Sequence, residues 1–264
     1  MLRALHLTAP LLALAACSTP EARPDSLVLA TVFVNRAAEY DATCRGIYAA
    51  ATVALEERVA ALPEGSLPPA VVLDVDETVL DNSPFEVRLI EDGTRYPEGW
   101  DAWCNESVAD PVPGVVEFLA AARSMDVEVF FVTNRKAHLE AGTRRNLELH
   151  GLFRPGKRDT LLLRGEREAW TRDKTSRREH VAETHTILQL FGDNVGDFFE
   201  PEEGLDSVER AAATAAHSSR WGRDWFMLPN PMYGGWDEAA VGHDYGPAWD
   251  QLDALRREDL DAKR

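Results

Sequence analysis

Val71-Val72-Leu73-Asp74-Val75-Asp76-Glu77-Thr78 is the stretch of sequence from which the fold can be inferred. Its three opening apolar residues predict a short strand that is buried on both faces. On an extended chain, residues two apart point to the same side, so the carboxylates of Asp74 and Asp76 should converge just past that strand. The stretch therefore predicts a strand whose carboxyl end carries a pair of acids.

Apolar runs and helical periodicity alternate along the rest of the chain. Further apolar runs predict strands at 127–132, 160–163, 187–191 and 225–228, and helical patterns lie at 115–123, 138–149, 177–183 and 249–264. This alternation is typical of an α/β fold with a doubly wound parallel sheet. An N-terminal helical pattern, Leu27 to Leu62, precedes the first strand, and an irregular, aromatic-rich insert at about 85–113 predicts a small cap.

Polar residues follow three of these apolar runs. Asp74, Thr133 and Asp193 each stand at the carboxyl end of a predicted strand. In open parallel sheets the carboxyl ends of the strands share one edge, where ligands bind. We therefore expect these three residues to lie in one crevice.

The acid pair is suited to phosphoryl transfer. Asp74 can attack phosphorus in line and form an aspartyl-phosphate, while Asp76 protonates the leaving oxygen and then activates water. A calcium loop beginning at Asp74 is excluded, because it requires Gly at its sixth position and Glu at its twelfth, where Val79 and Phe85 stand. A strand end with two solvated acids remains an alternative, because D-x-D-x-T is short enough to arise by chance.

Three further groups could complete such a site. Thr133-Asn134-Arg135 offers a hydroxyl, main-chain amides and a guanidinium to a phosphate, and Lys174 offers a compact ammonium. Asp193 and Asp197 are hard oxygen ligands of the kind that Mg²⁺ prefers. Each also has an ordinary structural explanation: a helix N-cap, a solvated lysine or an Asp-rich turn. Their order along the chain favours a single site.

The ordered set resembles the haloacid dehalogenase superfamily. It resembles more closely the bacterial class C acid phosphatases, an outer-membrane lipoprotein branch also called DDDD phosphohydrolases. The resemblance covers roughly Leu27 to Trp236. It rests on four local strings: D-E-T-V-L-D-N at 76–82, V-T-N-R at 132–135, G-D-N at 192–194 and L-P-N-P-M-Y-G-G-W at 228–236. The four aspartates of that name correspond here to Asp74, Asp76, Asp193 and Asp197.

The resemblance implies a role for each of these aspartates. Asp74 would be the nucleophile and a Mg²⁺ ligand, and Asp76 would be the general acid/base that meets the metal through its main-chain carbonyl. Asp193 would bind the metal directly, with Asp197 in contact with it or beside its ligands. An acid pH optimum would follow, because Asp76 must be protonated when the leaving group departs.

The resemblance also implies which residues contact the substrate. Thr133, Asn134, Arg135 and Lys174 would hold the phosphoryl group. Tyr96 and Tyr233 are the candidates for the two aromatic rings that sandwich the base or nicotinamide ring in nucleotide-hydrolysing members. Packing of the cap over the sheet is an equally open explanation for Tyr96.

The function that this pattern predicts is an exported, magnesium-dependent acid phosphatase. It would act on small phosphomonoesters, with nucleoside monophosphates as candidates. A non-catalytic ligand-binding lipoprotein on the same fold is one alternative, although the attacking acid, Asp74, is present. A phosphotransferase is another, since it would use the same residues. Dehalogenation is disfavoured because it needs no acid at the position of Asp76.

The N-terminus has the features of a lipoprotein signal. Residues 1–16 form an apolar segment too short to span a bilayer, with Arg3 before it. The string Leu14-Ala15-Ala16-Cys17 resembles a lipobox, so Cys17 would be lipidated and residues 17–26 would be a tether. Ser18 resembles the residue found in lipoproteins sorted to the outer membrane. A plain secretory signal is the alternative.

Charge and cysteine content limit the partners further. With 28 Lys plus Arg against 45 Asp plus Glu, the formal net charge is −17, which argues against duplex nucleic acid as a partner. A compact phosphate ester can still bind where a few cations and a metal are focused in one pocket. Beyond Cys17, Cys44 and Cys104 could form a disulfide or remain buried thiols.

Overall fold

A computed structural model describes residues 25–156, 158–201 and 204–261. Its strands are β1 (Pro69–Leu73), β2 (Leu80–Asp81), β3 (Asp110–Pro111), β4 (Glu128–Lys136), β5 (Leu161–Arg164), β6 (Thr186–Gly192) and β7 (Trp225–Met227). Its α-helices are α1 (Asp25–Arg36), α2 (Ala38–Ala60), α3 (Ser83–Asp92), α4 (Trp100–Glu106), α5 (Val115–Ser124), α6 (Glu140–Leu149), α7 (Thr175–Ala182), α8 (Ser207–Ala216), α9 (Gly235–Ala240) and α10 (Trp249–Asp261). The predicted signal peptide and Cys17 lie outside the described residues.

The main sheet is parallel and doubly wound, as predicted. Within the described residues it has five strands in the order β5-β4-β1-β6-β7, so β1 is central. The chain goes from β1 to β4 and β5 on one side, then returns to β6 and β7 on the other. Leu73, the last residue of β1, pairs with Phe131 of β4 and Phe191 of β6. The point where the strand order reverses is therefore at β1, which is where such sheets bind ligands.

The sequence of β1 explains its central place. Val71 and Leu73 pack in the larger core, under α2 and α5, while Ala70 and Val72 pack in a second core on the opposite face. Successive side chains of a strand point to opposite faces, so a strand covered on both sides must be apolar at every position. Burying each Val or Leu contributes about 1.5–3 kcal/mol, which fixes the register of this strand.

The N-terminal region differs from the prediction in two respects. The helical pattern of Leu27 to Leu62 forms two helices, separated at Ala37, whose φ of −80° and ψ of 129° are extended. Helix α1 begins at Asp25, within the last two residues of the predicted tether, 17–26, whose other residues lie outside the described ranges. None of the helices in the described ranges is long and apolar enough to cross a membrane.

The cap is more regular than the sequence suggested. Where an irregular insert was expected, α3 and α4 form, and antiparallel pairing of β2 with β3 closes the base of the insert. Trp103 of α4 donates a hydrogen bond from its indole nitrogen to Oδ1 of Asn82, 2.8 Å away, at the start of α3. The cap is thus joined to the loop that carries Asp76.

Cys44 and Cys104 are both buried free thiols. Burial raises the pKa of the Cys44 thiol to about 11 and that of Cys104 to about 12. The structure therefore supports the free-thiol alternative and not the disulfide.

Candidate active site

The catalytic candidates stand where three neighbouring strands end. Asp74 follows β1, and its main-chain amide donates to the carbonyl of Phe191 in β6, 3.0 Å away. Asp193 follows β6 directly. In β4, regular pairing with β5 ends at Thr133, and the strand continues to Lys136 after a shift in register. The three residues therefore stand at the carboxyl ends of neighbouring strands: Asp74 and Asp193 line the cleft there, and Thr133 is fully buried beside it.

Three carboxylates and one ammonium occupy this crevice. Asp74, Asp193 and Asp197 each offer an oxygen within 4.8 Å of the others. Nζ of Lys174 lies 2.5 Å from Oδ1 of Asp74 and 2.5 Å from Oδ1 of Asp197, and all three of these side chains are buried. The lysine that sequence reasoning placed as a phosphate contact is thus an integral part of the acidic cluster.

Burial and mutual repulsion disturb the titration of these groups. Burial raises the pKa of the Asp74 carboxyl to about 7, with Lys174 opposing the shift and Asp197 and Asp76 adding to it. Burial, followed by Asp197 and Asp74, raises the pKa of Asp193 well above its usual range. Burial by itself would lower the pKa of Lys174, but Asp197 and Asp74 outweigh burial and raise it. The cluster is therefore short of positive charge.

This deficit fits a divalent cation. Three carboxylates against one ammonium leave two formal negative charges. All the donor atoms are hard oxygens, which suit Mg²⁺ and similar ions. Asp74 and Asp193 are the groups that could hold such an ion. Asp197 is already engaged: its Oδ1 accepts from Lys174, and its Oδ2 accepts from the amide of Asn194 at 2.9 Å.

Asp76 is held apart from the cluster. Its Oδ1 accepts from Nε and Nη2 of Arg135, at 3.0 and 2.8 Å, and from Nδ2 of Asn82 at 2.8 Å. Among the described residues, Oδ2 has no hydrogen-bond partner, and Asp76 lines the cleft with its side chain 20% exposed. One oxygen is therefore fixed and the other is available for proton transfer.

Arg135 has partners other than the predicted phosphate. Its fully buried guanidinium contacts Asp76, Asn82 and Thr143. The contact between Arg135 and Asp76 is a strong one, because two N–H groups of a cation donate to a carboxylate and the guanidinium is buried away from solvent. In this structure Arg135 orients the candidate acid/base.

The Thr133–Asn134 part of β4 is held by a residue that sequence reasoning missed. Oγ1 of Thr133 accepts from the amide of Arg135 at 3.0 Å. Arg177 of α7 donates from Nη1 to the Thr133 carbonyl and from Nη2 to Oδ1 of Asn134, 2.7 Å away. Arg177 is fully buried, and its two hydrogen bonds hold the backbone of Thr133 and the side chain of Asn134 in place. Its sequence context, a helical run rich in charge, gave no sign of this role.

Two more residues around Asp193 and Asp197 have roles that the sequence did not reveal. Asn230 donates from Nδ2 to Oδ2 of Asp193 at 2.8 Å. Gly192 is required by close approach, because a Cβ there would lie 2.2 Å from Oδ2 of Asp197. Gly192 is not among the residues with positive φ, so it is this lack of space and not a left-handed backbone that requires glycine here. The L-P-N-P string was the only available signal for Asn230.

Tyr233 is tied to Glu77, another residue that was not predicted. The phenol of Tyr233 donates to Oε2 of Glu77, and the amide of Asn82 donates to Oε1 of Glu77 at 2.7 Å. Glu77 is buried and has a positive φ of 53°. Burial, followed by Asp76 and Asp193, raises its pKa well above the usual range. Tyr233 is thereby fixed beside the acid pair.

Tyr96 reaches the same cleft from the cap. Its side chain is 64% exposed and meets Trp100 edge to face, with ring centroids 5.9 Å apart. Trp100 in turn lies over the guanidinium of Arg135 at 5.3 Å. Tyr96 and Tyr233 both line the cleft that contains Asp74, Asp76 and Lys174. The structure thus places both aromatic candidates on the wall of that cleft, and their role in stacking stays a prediction.

Comparison with known proteins agrees with this geometry. The family model described as HAD superfamily, subfamily IIIB (acid phosphatase) matches residues 15–236. Two solved structures of the class C acid phosphatase from Bacillus anthracis, one with tungstate bound, each superpose with a TM-score of 0.81 at 32% identity. Each match covers 89% of this chain and 96% of the other. The chain therefore belongs to the acid phosphatases of HAD subfamily IIIB and is a phosphomonoester hydrolase.

Proposed function

We propose that this protein is an exported, Mg²⁺-dependent acid phosphatase that hydrolyses small phosphomonoesters through a phosphoaspartate at Asp74. The observation that carries the proposal is the paired environment of the two acids. Asp74 lies buried against Lys174, while Asp76 has one oxygen fixed by Arg135 and the other open to the cleft. Two acids in different environments can act as nucleophile and as acid/base.

In the first step, a carboxylate oxygen of Asp74 attacks phosphorus as the bond to the leaving oxygen breaks. Asp76 gives its proton to that oxygen, so the leaving group departs as a neutral alcohol. The Thr133 hydroxyl, the Asn134 amide and Lys174 hold the transferring phosphoryl group. A bound Mg²⁺, held by Asp74, Asp193 and the main-chain carbonyl of Asp76, would offset negative charge on the phosphate.

In the second step, Asp76, now a carboxylate, takes a proton from water, and the water oxygen attacks phosphorus. The bond between phosphorus and Asp74 breaks, inorganic phosphate leaves, and Asp74 is a carboxylate again. Arg135 and Asn82 keep the Asp76 side chain in place through both proton transfers. Transfer to an acceptor alcohol would use the same residues, with the alcohol in the place of water.

Nucleoside monophosphates are the substrate class that the cleft favours within this proposal. Tyr96 and Tyr233 line the cleft together with the acid pair, and every base has a face on which an aromatic ring can stack. The tungstate in one similar structure is a tetrahedral oxyanion, which supports a phosphate site in the relatives. The net charge of −17 continues to argue against polymeric nucleic acid as a substrate.

Chelation tests the metal requirement. Treatment with EDTA should lower turnover of p-nitrophenyl phosphate and of nucleoside monophosphates about 100-fold or more, and Mg²⁺ should restore it. Asp193→Asn should raise the Mg²⁺ concentration that gives half-maximal activity, whereas Asp126→Asn, on the exposed surface, should not.

Full activity in protein shown to be metal-free by elemental analysis would contradict the metal requirement. The same assay, run with an added alcohol, separates hydrolysis from transfer. Equal amounts of inorganic phosphate and nitrophenolate indicate hydrolysis, and a deficit of phosphate indicates transfer.

We further propose that Cys17 carries a lipid that anchors the protein to the outer membrane. The lipobox-like string Leu14-Ala15-Ala16-Cys17 supports this. From Cys17 to Asp25, where α1 begins, a fully extended chain spans about 28 Å, so the catalytic domain would sit close to the membrane surface.

Cys17→Ser should release the protein from membranes into the soluble fraction with its turnover unchanged. Fractionation of cells that express the two forms, with an activity assay on each fraction, measures this. Membrane association equal to that of the wild type would exclude the anchor.

A further inference from the structure

The last described part of the chain lines the cleft that contains the acid pair. Residues 244–261, which we call the C-terminal arm, follow the last residue matched by the family model, 236. Tyr245, Trp249 and Arg256 of the arm line the same cleft as Asp74 and Asp76. The arm is therefore part of the cleft wall although it is not part of what defines the family.

One end of the arm is held by the cap. Nη1 of Arg95 donates to the carbonyls of Tyr245 and Pro247, both at 3.0 Å, and the guanidinium lies 4.0 Å from the centre of the Trp249 ring. Arg95 directly precedes Tyr96. These three contacts join the arm to the backbone that presents Tyr96.

The arm is also held by α9, the helix that follows Tyr233. Asp237 in α9 is only 6% exposed and accepts from Nε and Nη2 of Arg256, at 2.7 and 3.0 Å. Its Oδ2 also accepts from the phenol of Tyr245 at 3.0 Å. Leu252 of α10, which stands between Tyr245 and Arg256 in the sequence, is fully buried. The arm thus links the segment that carries Tyr233 to the segment that carries Tyr96.

The segment that presents Tyr96 has main-chain hydrogen bonds from the amide of Thr94 to Leu89 and from the amide of Glu98 to Arg95, at 3.2 and 2.9 Å. The ring itself is mostly exposed, and its aromatic contact within the described residues is the edge contact with Trp100. The connection between α3 and α4 begins at Gly93 and ends at Gly99, both with positive φ and with no atom closer than 3.8 Å to a Cβ built there. The position of the exposed ring therefore follows the backbone of this connection, to which Arg95 belongs.

We infer that the C-terminal arm is a specificity element that sets the gap between Tyr96 and Tyr233, so that the cleft favours substrates with a planar ring in the leaving group. This inference rests on the proposed function, in which the leaving group lies between these rings. Arg95 and Trp249 act as positioning residues through Tyr96, and neither takes part in the chemical steps. Affinity for phosphate alone should not depend on them.

The test compares a ring-bearing substrate with one that has no ring. In the full chain, Trp249→Ala and Arg95→Ala should each raise KM for a nucleoside monophosphate about tenfold, with kcat nearly unchanged. KM for glycerol 2-phosphate should change less than about twofold. Trp249→Phe and Arg95→Lys should recover most of the loss, because each keeps the cation over an aromatic ring. Glu258→Ala, in the same helix but exposed and outside the cleft lining, is the matched control.

A double-mutant cycle shows whether the arm acts through Tyr96. Tyr96→Ala should itself raise KM for the nucleotide, and adding Trp249→Ala should then raise it no further. If Tyr96→Ala leaves KM unchanged, the stacking role in the proposed function is wrong and the inference falls with it. If Tyr96→Ala raises KM but Trp249→Ala does not, the inference alone is overturned. Equal losses for both substrates, with a lower Tm, would show that the arm only stabilises the fold.

Discussion

Asp74→Asn should abolish phosphatase activity, with kcat lowered about 10⁴-fold or more while the protein remains folded. An amide oxygen cannot attack phosphorus, so no phosphoaspartate forms. Asn fills the same space, and the site is one in which burial already disfavours the charged carboxyl and raises its pKa to about 7. Loss of that charge should therefore leave the Tm of the metal-free protein unchanged or raised. Turnover of p-nitrophenyl phosphate and thermal unfolding followed by circular dichroism measure both effects.

The control for this substitution is Asp126→Asn, which makes the same chemical change on the exposed surface. Asp126 has a positive φ of 55°, a conformation that Asn also tolerates, so neither activity nor stability should change. Residual activity of Asp74→Asn above about 1% of wild type, after deamidation back to Asp has been excluded by mass spectrometry, would mean that another group attacks phosphorus.

The fold could be predicted from sequence because buried parallel strands have a simple signature. Each strand covered on both faces must be apolar at consecutive positions, and 71–73 and 129–132 meet that requirement. The run 187–191 meets it except at Gln189, whose buried amide donates to the carbonyl of Ala51. Because helical patterns separate these strands along the chain, only a few sheet topologies are possible. The break between α1 and α2 could not be predicted in this way, because Ala37 is a good helix former and no Gly or Pro marks the site.

The cap was the least predictable part of the fold for a related reason. Its helices are short, and α4 has only seven residues, so periodicity has little length over which to show. Their positions depend on contacts between residues far apart in sequence. Trp103 bonds to Asn82, and the chain at Gly142 approaches α4 so closely that a Cβ would lie 2.5 Å from the carbonyl of Cys104.

The site was predictable where the strand-end rule applies and not beyond it. Asp74, Thr133 and Asp193 stand at the ends of strands, and the topology alone brings them together. Glu77, Arg177 and Asn230 support those residues from neighbouring elements, through contacts that are specified only by the packed structure. Arg135 was found by its position, but the direction of its side chain, toward Asp76, depends on the buried contacts that it makes.

Asp76→Asn should separate the two chemical steps. Asn keeps an oxygen that can accept from Arg135, so the side chain should stay in place, but it can neither donate the proton to the leaving oxygen nor take one from water. Steady-state turnover should fall about 10²–10⁴-fold for every substrate. Nitrophenolate is a stable leaving group that needs little protonation, so its first release should be slowed much less than the attack of water.

The phosphorylated enzyme should therefore accumulate in Asp76→Asn with p-nitrophenyl phosphate. Stopped-flow absorbance should show a burst of nitrophenolate close to one equivalent per active site, followed by a slow steady rate, and acid quenching should trap phosphate on Asp74. Glycerol 2-phosphate, whose alkoxide leaves poorly without a proton, should give no trapped phosphate within the same time. The wild type is the control, since Asp76 serves both steps there and no intermediate builds up. If Asp76→Asn is slow but shows no burst with p-nitrophenyl phosphate, Asp76 acts before the bond to the leaving oxygen breaks and not on the water. If its rate is unchanged, another group is the acid/base. Because Oδ1 of Asp76 is already bonded to Arg135 and Asn82, the oxygen that acts in both steps should be Oδ2, the one that these contacts leave open.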